Sequence, residues 1–502
     1  MIVMEYAILR NNEVCPLWDI PVLPYDPFLD LNTGLLQDKR FHCVNYYGFP
    51  YFGKIKLICC MADDEGHVIL VSSAEIGSDA PAMPSFTARH AAFEAFEREI
   101  HENFGMGYTD HPWLKPLRYA HDRKDPRGGI GDYPFYRIHS EELHEVGVGP
   151  IHAGIIEPGH FRFICNGEQI LHLEIQLGYQ HRGIETLFLQ KKKLLQRTLL
   201  AESIAGDTVV GHTLAFAHLW ESLCGFEPSD DLVLARALAL EIERLAIHTG
   251  DLSAICTDIA YQLGSAVFGR LRTPIINFMQ EWCGNRLAKG LIRAGGSNYP
   301  FTEPLAERLL QLLDAYEPDL REMYKELKSL PSVLARLEKT GVVTQPQAES
   351  IGAVGMAARA CGISRDIRYS HPFGAYRSLT HVPVIKHHGD VYSRTQIRKE
   401  EILQSMSYIR RWAQELSGGN KGVVALRDPA PDSFVLSLTE GWRGEICHCA
   451  VTGADGELLH YKIKDPSLHN WLALALAVRN NEISDFPICN KSFDLSYCGH
   501  DL

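Results

Sequence analysis

Ser203-Ile-Ala-Gly-Asp-Thr-Val-Val-Gly-His-Thr-Leu214 and the terminal Ser492-Phe-Asp-Leu-Ser-Tyr-Cys-Gly-His-Asp-Leu502 decide how this chain is read. The first leaves a small polar loop and enters an apolar run that predicts a helix over 209–223. The second gathers carboxylates, hydroxyls, a thiol and an imidazole in one short segment. Such mixed donors can hold a metal, or they can dock a chain end through hydrogen bonds.

At 502 residues the chain can bury at least two cores. Its 46% hydrophobic and 22% charged residues are those of a globular protein that folds throughout. A formal charge of -13 argues against nucleic-acid binding, which needs a basic surface to displace counterions from phosphates. No apolar run approaches the ~20 residues needed to span a bilayer, and Met1-Ile-Val-Met-Glu-Tyr6 lacks the features of a signal peptide. The expected location is cytoplasmic. None of the 13 cysteines is spaced Cys-x-x-Cys, so they read as reduced structural thiols, with no cluster motif.

Strand signals occupy Phe41 to Val44, Tyr51-Phe52 and Val68 to Ser72, and one helix is predicted over Thr87–Phe104, stopping at Gly105. The run Asp122-Arg-Lys-Asp-Pro-Arg-Gly-Gly-Ile-Gly-Asp132 reads as a linker, which puts a domain boundary near residue 140. A small antiparallel sheet is expected from Gly149 to Gln176. Helices follow over 183–200, 209–223, 230–263, 268–282, 302–337 with breaks, and 399–416. Gly418 to Gly422 reads as a turn, the 434–439 and 445–452 runs as strands, Ala454-Asp-Gly456 as a hairpin and 467–480 as a helix.

Three sets of motifs then combine. Phe96-Glu-Arg-Glu-Ile-His-Glu-Asn-Phe-Gly105, followed by His111-Pro112, resembles the signature of the C-type peripheral subunit of respiratory complex I, with Asn103 where that family has Asp. Gly149-Pro-Ile-His152, Glu157-Pro-Gly-His-Phe-Arg162, Tyr179-Gln-His-Arg-Gly-Ile-Glu185, Leu240-Glu-Ile-Glu-Arg-Leu-Ala-Ile-His248 and Ile292-Arg-Ala-Gly-Gly296 come next. Ala358-Arg-Ala-Cys-Gly-Ile-Ser-Arg-Asp-Ile-Arg368, Gly389-Asp-Val-Tyr-Ser-Arg394 and Gly444-Glu445 complete the series. Together with the two opening stretches, the chain resembles a fused C/D-type subunit of the complex I and group 4 (energy-converting) NiFe-hydrogenase large-subunit family. The resemblance implies an α+β fold. Residues 1–140 would be an α/β docking domain in which Glu99 and His111 pack or form an interface. Residues 141–502 would be a mainly α-helical hydrogenase-like domain with small β-sheets.

The same resemblance shows what is missing. Hydrogenases of this family hold nickel and iron with four cysteines; here Ala205, Thr208, Ser496 and Gly499 stand at those positions. Alanine and glycine supply no ligand, and neutral hydroxyls are poor donors for soft-binding metals. No metal ligand is therefore assigned. The chain is closest in character to hydrogenase-related members lacking those cysteines. Complex I binds a quinone headgroup with a His and a Tyr, and Pro158 and Gly206 occupy those places. Quinone remains only as an acceptor bound in some other way.

Ionisable groups survive. Arg182 and Glu185 keep the Arg-Gly-x-Glu element that passes protons in hydrogenases, and Asp207, His212 and Asp494 would surround the altered pocket with Ser496, Cys498, His500 and Asp501. Glu241, Arg244, His248, Asp251 and Asp258 recur at one face of the predicted 230–263 helix. That face is either solvated or a buried proton relay.

The resemblance implies an oxidoreductase subunit without a NiFe centre or any cofactor of its own. It would sit peripherally on the cytoplasmic side of a membrane, in a hetero-oligomer. Its partners would be a small iron-sulfur subunit and antiporter-like membrane subunits, and it would couple electron transfer to ion translocation. Two alternatives are a catalytically silent scaffold and a reductase of a noncanonical quinone or small acceptor.

Overall fold

A computed structural model describes residues 5–77, 80–152, 156–416 and 422–502. The chain mixes helices with small, mostly antiparallel sheets. In the first, Ala7–Leu9, Val68–Gly77, Lys54–Asp63 and Phe41–Tyr51 lie side by side, and Val22–Leu23 runs parallel to Val68–Gly77. Sequence reading missed Lys54–Asp63. Its Leu57-Ile-Cys-Cys-Met61 core is apolar without alternation, because both faces of the strand are covered.

Glu94–Phe104 packs on this sheet and ends at Gly105, whose φ of 72° suits glycine in a helix stop. The expected start at Thr87 is corrected to Glu94. The Glu97 carboxylate accepts from Phe86 N and Thr87 N, at 2.8 and 3.0 Å, and from the Ser85 and Thr87 hydroxyls. That ties residues 85–87 into a loop before the helix can begin.

A second sheet orders Gln169–Gln176, His160–Asn166 and His144–Val148. A third orders Leu458–Lys464, Glu445–Thr452, Ser433–Glu440 and Val14–Pro16, so a strand from the first twenty residues completes a sheet built near the end of the chain. His42 reinforces this junction, its ring held between Asp64 at 3.1 Å and Glu445 at 2.7 Å.

The helical layer centres on Asp230–Asp258, which packs against Gln262–Cys283 and Val391–Glu415. Its expected extension to 263 stops where Ala260 takes φ 58°. Val209–Leu223 matches expectation residue for residue. The single helix expected over 183–200 is two, Ile184–Gln190 and Leu194–Ala201, with Arg197 reaching back to Phe188 O at 3.1 Å across the break. Val391–Glu415 begins eight residues earlier than predicted, capped by Asp390 on Ser393 N. Its Arg394 and Arg398, outside the helix expected from sequence, are buried by ion pairing and by carbonyl acceptors. The turn read at Gly418 to Gly422 falls largely outside the described residues. No helix among the described residues is long and apolar enough to cross a membrane.

Candidate functional site

The two opening stretches face each other and are strapped together by two arginines. Arg182 donates to Ser203 O at 2.5 Å and Ile204 O at 2.9 Å on one side and to Cys498 O at 3.2 Å on the other. Arg443 makes a bidentate pair with Asp207, at 2.6 and 2.7 Å, and donates to Thr208 Oγ1 at 3.1 Å and to Asp494 O. Asp494 ends the Phe486–Phe493 helix at φ 49°, a conformation Asp tolerates, and its carboxylate takes Lys491 at 2.7 Å. Bidentate guanidinium contacts of this kind are directional as well as strong. The hollow between the stretches is thereby filled by protein side chains.

The four altered positions bear out that filling atom by atom. Ala205 is fully buried and offers no donor. The Thr208 hydroxyl is engaged by Arg443 and Asp207, and the Ser496 hydroxyl caps Gly499 N at 2.9 Å. A Cβ built on Gly499 would lie 2.7 Å from Asp465 Cγ and Oδ2, closer than real Cβ atoms come to neighbours. The Asp465 carboxylate thus occupies the space into which a cysteine there would project. A bimetallic centre held by four thiolates does not fit these residues.

Asp465 itself escaped sequence reading. It accepts from Ser467 N at 2.8 Å and faces His212 Nε2 at 3.0 Å. Burial alone would raise its pKa, but the His212 hydrogen bond, the His212 charge and Arg443 hold it down to about 2. His212 therefore belongs to Asp465 and is not a partner of Asp207 or Asp494.

Arg182 is exposed and spends its donors on backbone carbonyls, while half-buried Glu185 accepts from Ile463 N at 2.8 Å and pairs with Lys462 at 3.1 Å. The Arg-Gly-x-Glu pair therefore separates, one residue strapping the terminal segment and the other joining Lys462 and Glu99. His500 and Asp501 dock the chain end: Asp501 accepts from Gly178 N and Gln180 N, both at 2.8 Å.

On the central helix Glu241, Arg244, His248 and Asp251 are all buried. Asp258, at the last turn of the helix, is more exposed than these four and makes none of their ion pairs, though burial and the Asp494 charge still raise its pKa against Lys491. Residues missed in the sequence complete the cluster. Glu401 accepts from Arg359 at 2.6 Å and from His248 at 2.8 Å, with Arg244 and Arg368 at 3.5 Å. Arg368 pairs with Asp366 at 2.7 Å and Glu241 at 3.4 Å, and Arg359 with Glu440 at 2.7 Å.

Three buried guanidinium groups, on Arg244, Arg359 and Arg368, thus face four carboxyls. Burial pushes every one of these carboxyls up, and arginines overcome that for Glu241, Asp366 and Glu401, whose pKa values fall below the ordinary range. The fourth, Glu440, is pushed up to about 7 by burial and by Asp366 against Arg359 and Arg368, so three carboxylates balance the three guanidinium groups and the fourth acid holds its proton up to about pH 7. Burial holds His248 neutral, at about 4.

A second raised acid lies toward the pocket. Burial and the neighbouring Asp494 carboxylate push Asp251 up to about 7, against Arg398, which donates to it at 2.9 Å, and Lys491, which lies 3.8 Å from it and 2.7 Å from Asp494. Glu243 is a third: burial raises it to about 8, although Val210 N and Gly211 N donate to it at the start of the Val209–Leu223 helix. All 13 cysteines are buried and unpaired, as structural thiols, and among the described residues no group of His, Cys, Asp and Glu could hold a metal ion.

Comparison with known proteins follows the same line. Residues 263–430 match the family described as the respiratory-chain NADH dehydrogenase 49 Kd subunit. The chain is 26% identical over 445 residues to hydrogenase-4 component G of Escherichia coli (strain K12), covering 85% of this chain and 77% of that one. Formate hydrogenlyase subunit 5 of the same organism is 28% identical over 442 residues, 84% of this chain and 77% of the relative. The C/D fusion protein of the NADH-quinone oxidoreductase of Phocaeicola vulgatus is 25% identical over 464 residues, 85% of this chain and 88% of the relative. With the order of its motifs, these matches agree with the resemblance to complex I subunits of the C/D and 49 Kd type and to the hydrogenase subunits related to them.

Proposed function

We propose that this chain is the hydrogenase-like large subunit of a membrane-associated, complex-I-related oxidoreductase complex, that it carries no NiFe centre, and that it couples electron arrival to ion movement through its buried charges. Its relatives are subunits of multi-subunit hydrogenases and NADH-quinone oxidoreductases, which supports a hetero-oligomer. The electrons would come from an iron-sulfur cluster of a small partner subunit, and antiporter-like subunits would move the ion. The observation that carries the reading is the pair of buried carboxyls Asp251 and Asp494, bridged by Lys491 at 3.8 and 2.7 Å and tied to Arg398 at 2.9 Å, between the filled pocket and the arginine–carboxylate cluster. A negative charge arriving near the pocket raises the proton affinity of such a pair, and in a medium of low dielectric that change is felt by the charges behind it.

Asp251→Asn tests this in the assembled complex, reconstituted into vesicles with reduced methyl viologen as the donor, a water-soluble quinone as the acceptor and a pH-sensitive dye inside. Asparagine keeps the shape and cannot exchange the proton. Viologen oxidation should continue within about twofold while ion movement per electron falls about tenfold, a coupling change of ~1.4 kcal/mol. Unchanged ion movement per electron contradicts the coupling role.

The filled pocket favours a second reading, a catalytically silent scaffold, over reduction of a quinone or other acceptor there. Under that reading Asp251→Asn leaves both rates alone, and Arg443→Met, which frees the two stretches, weakens assembly of the complex.

A further inference from the structure

Tyr461, His448, His212 and Asp465 form one continuous row of hydrogen bonds that neither the arginine cluster nor the Asp251 pair uses. The Tyr461 hydroxyl lies 2.7 Å from His448 Nδ1, His448 Nε2 lies 3.1 Å from His212 Nδ1, and His212 Nε2 lies 3.0 Å from Asp465 Oδ2. All four side chains are buried, between 0% and 1% exposed. Three elements build the row: His448 on strand Glu445–Thr452, Tyr461 on the adjacent strand Leu458–Lys464, and His212 on the helix packed across them.

The two ends of the row differ in kind. At one end Asp465 fills the place beside Gly499 in the former metal pocket. At the other, Tyr461 forms part of the wall of a polar cavity of about 260 Å³ lined also by Glu99, Arg118, His181, Glu185 and His460. A space of this size holds several waters. His460 Nε2 is buried there without a protein partner.

We infer that Tyr461, His448, His212 and Asp465 are a one-proton relay between this polar cavity and the filled pocket. The chemistry requires no other reactant. In one state the Tyr461 hydroxyl donates to His448 Nδ1, His448 Nε2–H donates to His212 Nδ1, and His212 Nε2–H donates to the Asp465 carboxylate. Tyr461 is 0% exposed, so a small opening of that wall brings cavity water to its oxygen, and a proton delivered there releases the hydroxyl's own proton to His448 Nδ1. His448 then gives its Nε2 proton to His212 Nδ1. The result is an imidazolium at His212 against an ionised Asp465, with His448 again neutral and now donating to Tyr461. Only O–H and N–H bonds break and form, and each ring ends with its valences filled. His448 suits the intermediate place, because burial and the adjacent His212 disfavour a standing charge on it. Arg443 beside Asp465, and Arg197 and Glu185 near Tyr461, are the charged groups facing the two ends. Use of the relay to neutralise electrons reaching the pocket rests on the function proposed above; the relay itself does not.

A row that only braces the structure and a row that conducts respond in opposite directions when it is cut. Tyr461→Phe removes the hydroxyl and keeps the ring, which stacks on Phe188 with centroids 4.2 Å apart. His448→Gln keeps an amide that donates and accepts but cannot pass a proton between its ends. The readout is solvent exchange of the His212 ring N–H, followed by nitrogen-edited NMR on the purified full-length chain labelled with ¹⁵N-histidine. Conduction predicts that both variants slow this exchange by about tenfold or more, because the proton must then wait for local opening. Exchange that is unchanged or faster in Tyr461→Phe, as expected when a bracing hydrogen bond is lost, overturns the relay. Because no electron donor enters the experiment, its outcome is independent of whether the complex transfers electrons.

Discussion

Glu401→Gln destabilises the folded chain by roughly 3–5 kcal/mol, the loss found when one partner of a buried ion cluster is neutralised. Glu401 is fully buried and touches four groups: Arg359 at 2.6 Å, His248 at 2.8 Å, and Arg244 and Arg368 at 3.5 Å. Removing its charge leaves three guanidinium groups facing two ionised carboxylates in a medium that hardly screens them. The one available remedy is ionisation of Glu440, whose proton the balanced cluster had retained, so Glu401→Gln combined with Glu440→Gln costs more than the two single changes added together. Chemical denaturation of the purified chain measures both. A reference is available in the same protein: Glu317, partly exposed and paired with Arg321 one helical turn on and with Arg410, should contribute under ~1 kcal/mol. A loss at Glu401 no larger than the one at Glu317 contradicts the cluster as described.

The second large effect belongs to His42. Burial alone would lower its pKa, but the Asp64 and Glu445 carboxylates on either side of the ring outweigh burial and raise it to about 9. A histidine whose folded pKa lies above its unfolded value of about 6.5 stabilises the fold fully below pH 6.5, and that stabilisation disappears as pH rises through about 9. The shift corresponds to about 3 kcal/mol. His42→Gln should therefore be destabilising by about that amount at pH 6, with the gap between wild type and variant closing by pH 10. Denaturant midpoints of both proteins at the two pH values decide it. A gap that stays constant with pH places the effect in packing and removes the charge from the explanation. His42 also joins the first sheet to Glu445, and Lys464 pairs with the same carboxylate, so the variant should loosen the contact between the first and last parts of the chain.

How much of this was legible beforehand depends on whether the signal is local. The Val209–Leu223 helix carries an uninterrupted apolar run and was readable to the residue, and Gly105 announced a helix stop that its backbone conformation supports. The opposition of the two stretches came from motif order alone, since no local pattern relates residue 207 to residue 443 or 494. Arg443 and Asp465 were invisible for that reason. Each is one charged residue beside a strand, and only the fold brings them into the hollow left by the missing cysteines.

The Val391–Glu415 helix went astray in the opposite sense. Its first eight residues were not read as helix and no role was assigned to Arg394, Arg398 or Glu401, yet all three are buried, with Asp251, Arg359 and His248 arriving from distant segments to meet Arg398 and Glu401. Periodicity cannot distinguish a charged face covered by opposite charges from one covered by water. Asp258 failed for a simpler reason. It has the angular position of its buried neighbours, but it is the last residue of the helix, and its side chain reaches the surface two residues after the buried Cys256.

Protein side chains, chiefly Arg443 and Asp465, fill the space between residues 205–208 and 496–499, where the resemblance to hydrogenases would put a metal centre. The most direct test of that filling is an experimental density map of the assembled complex, resolved well enough to trace side chains there. Continuous density is expected from the Arg443 guanidinium to Asp207 and to the Asp494 carbonyl, with an Asp465 carboxylate against Gly499. Density for a metal ion or a bound organic molecule in that space, with Arg443 or Asp465 turned away to admit it, contradicts a pocket closed by protein.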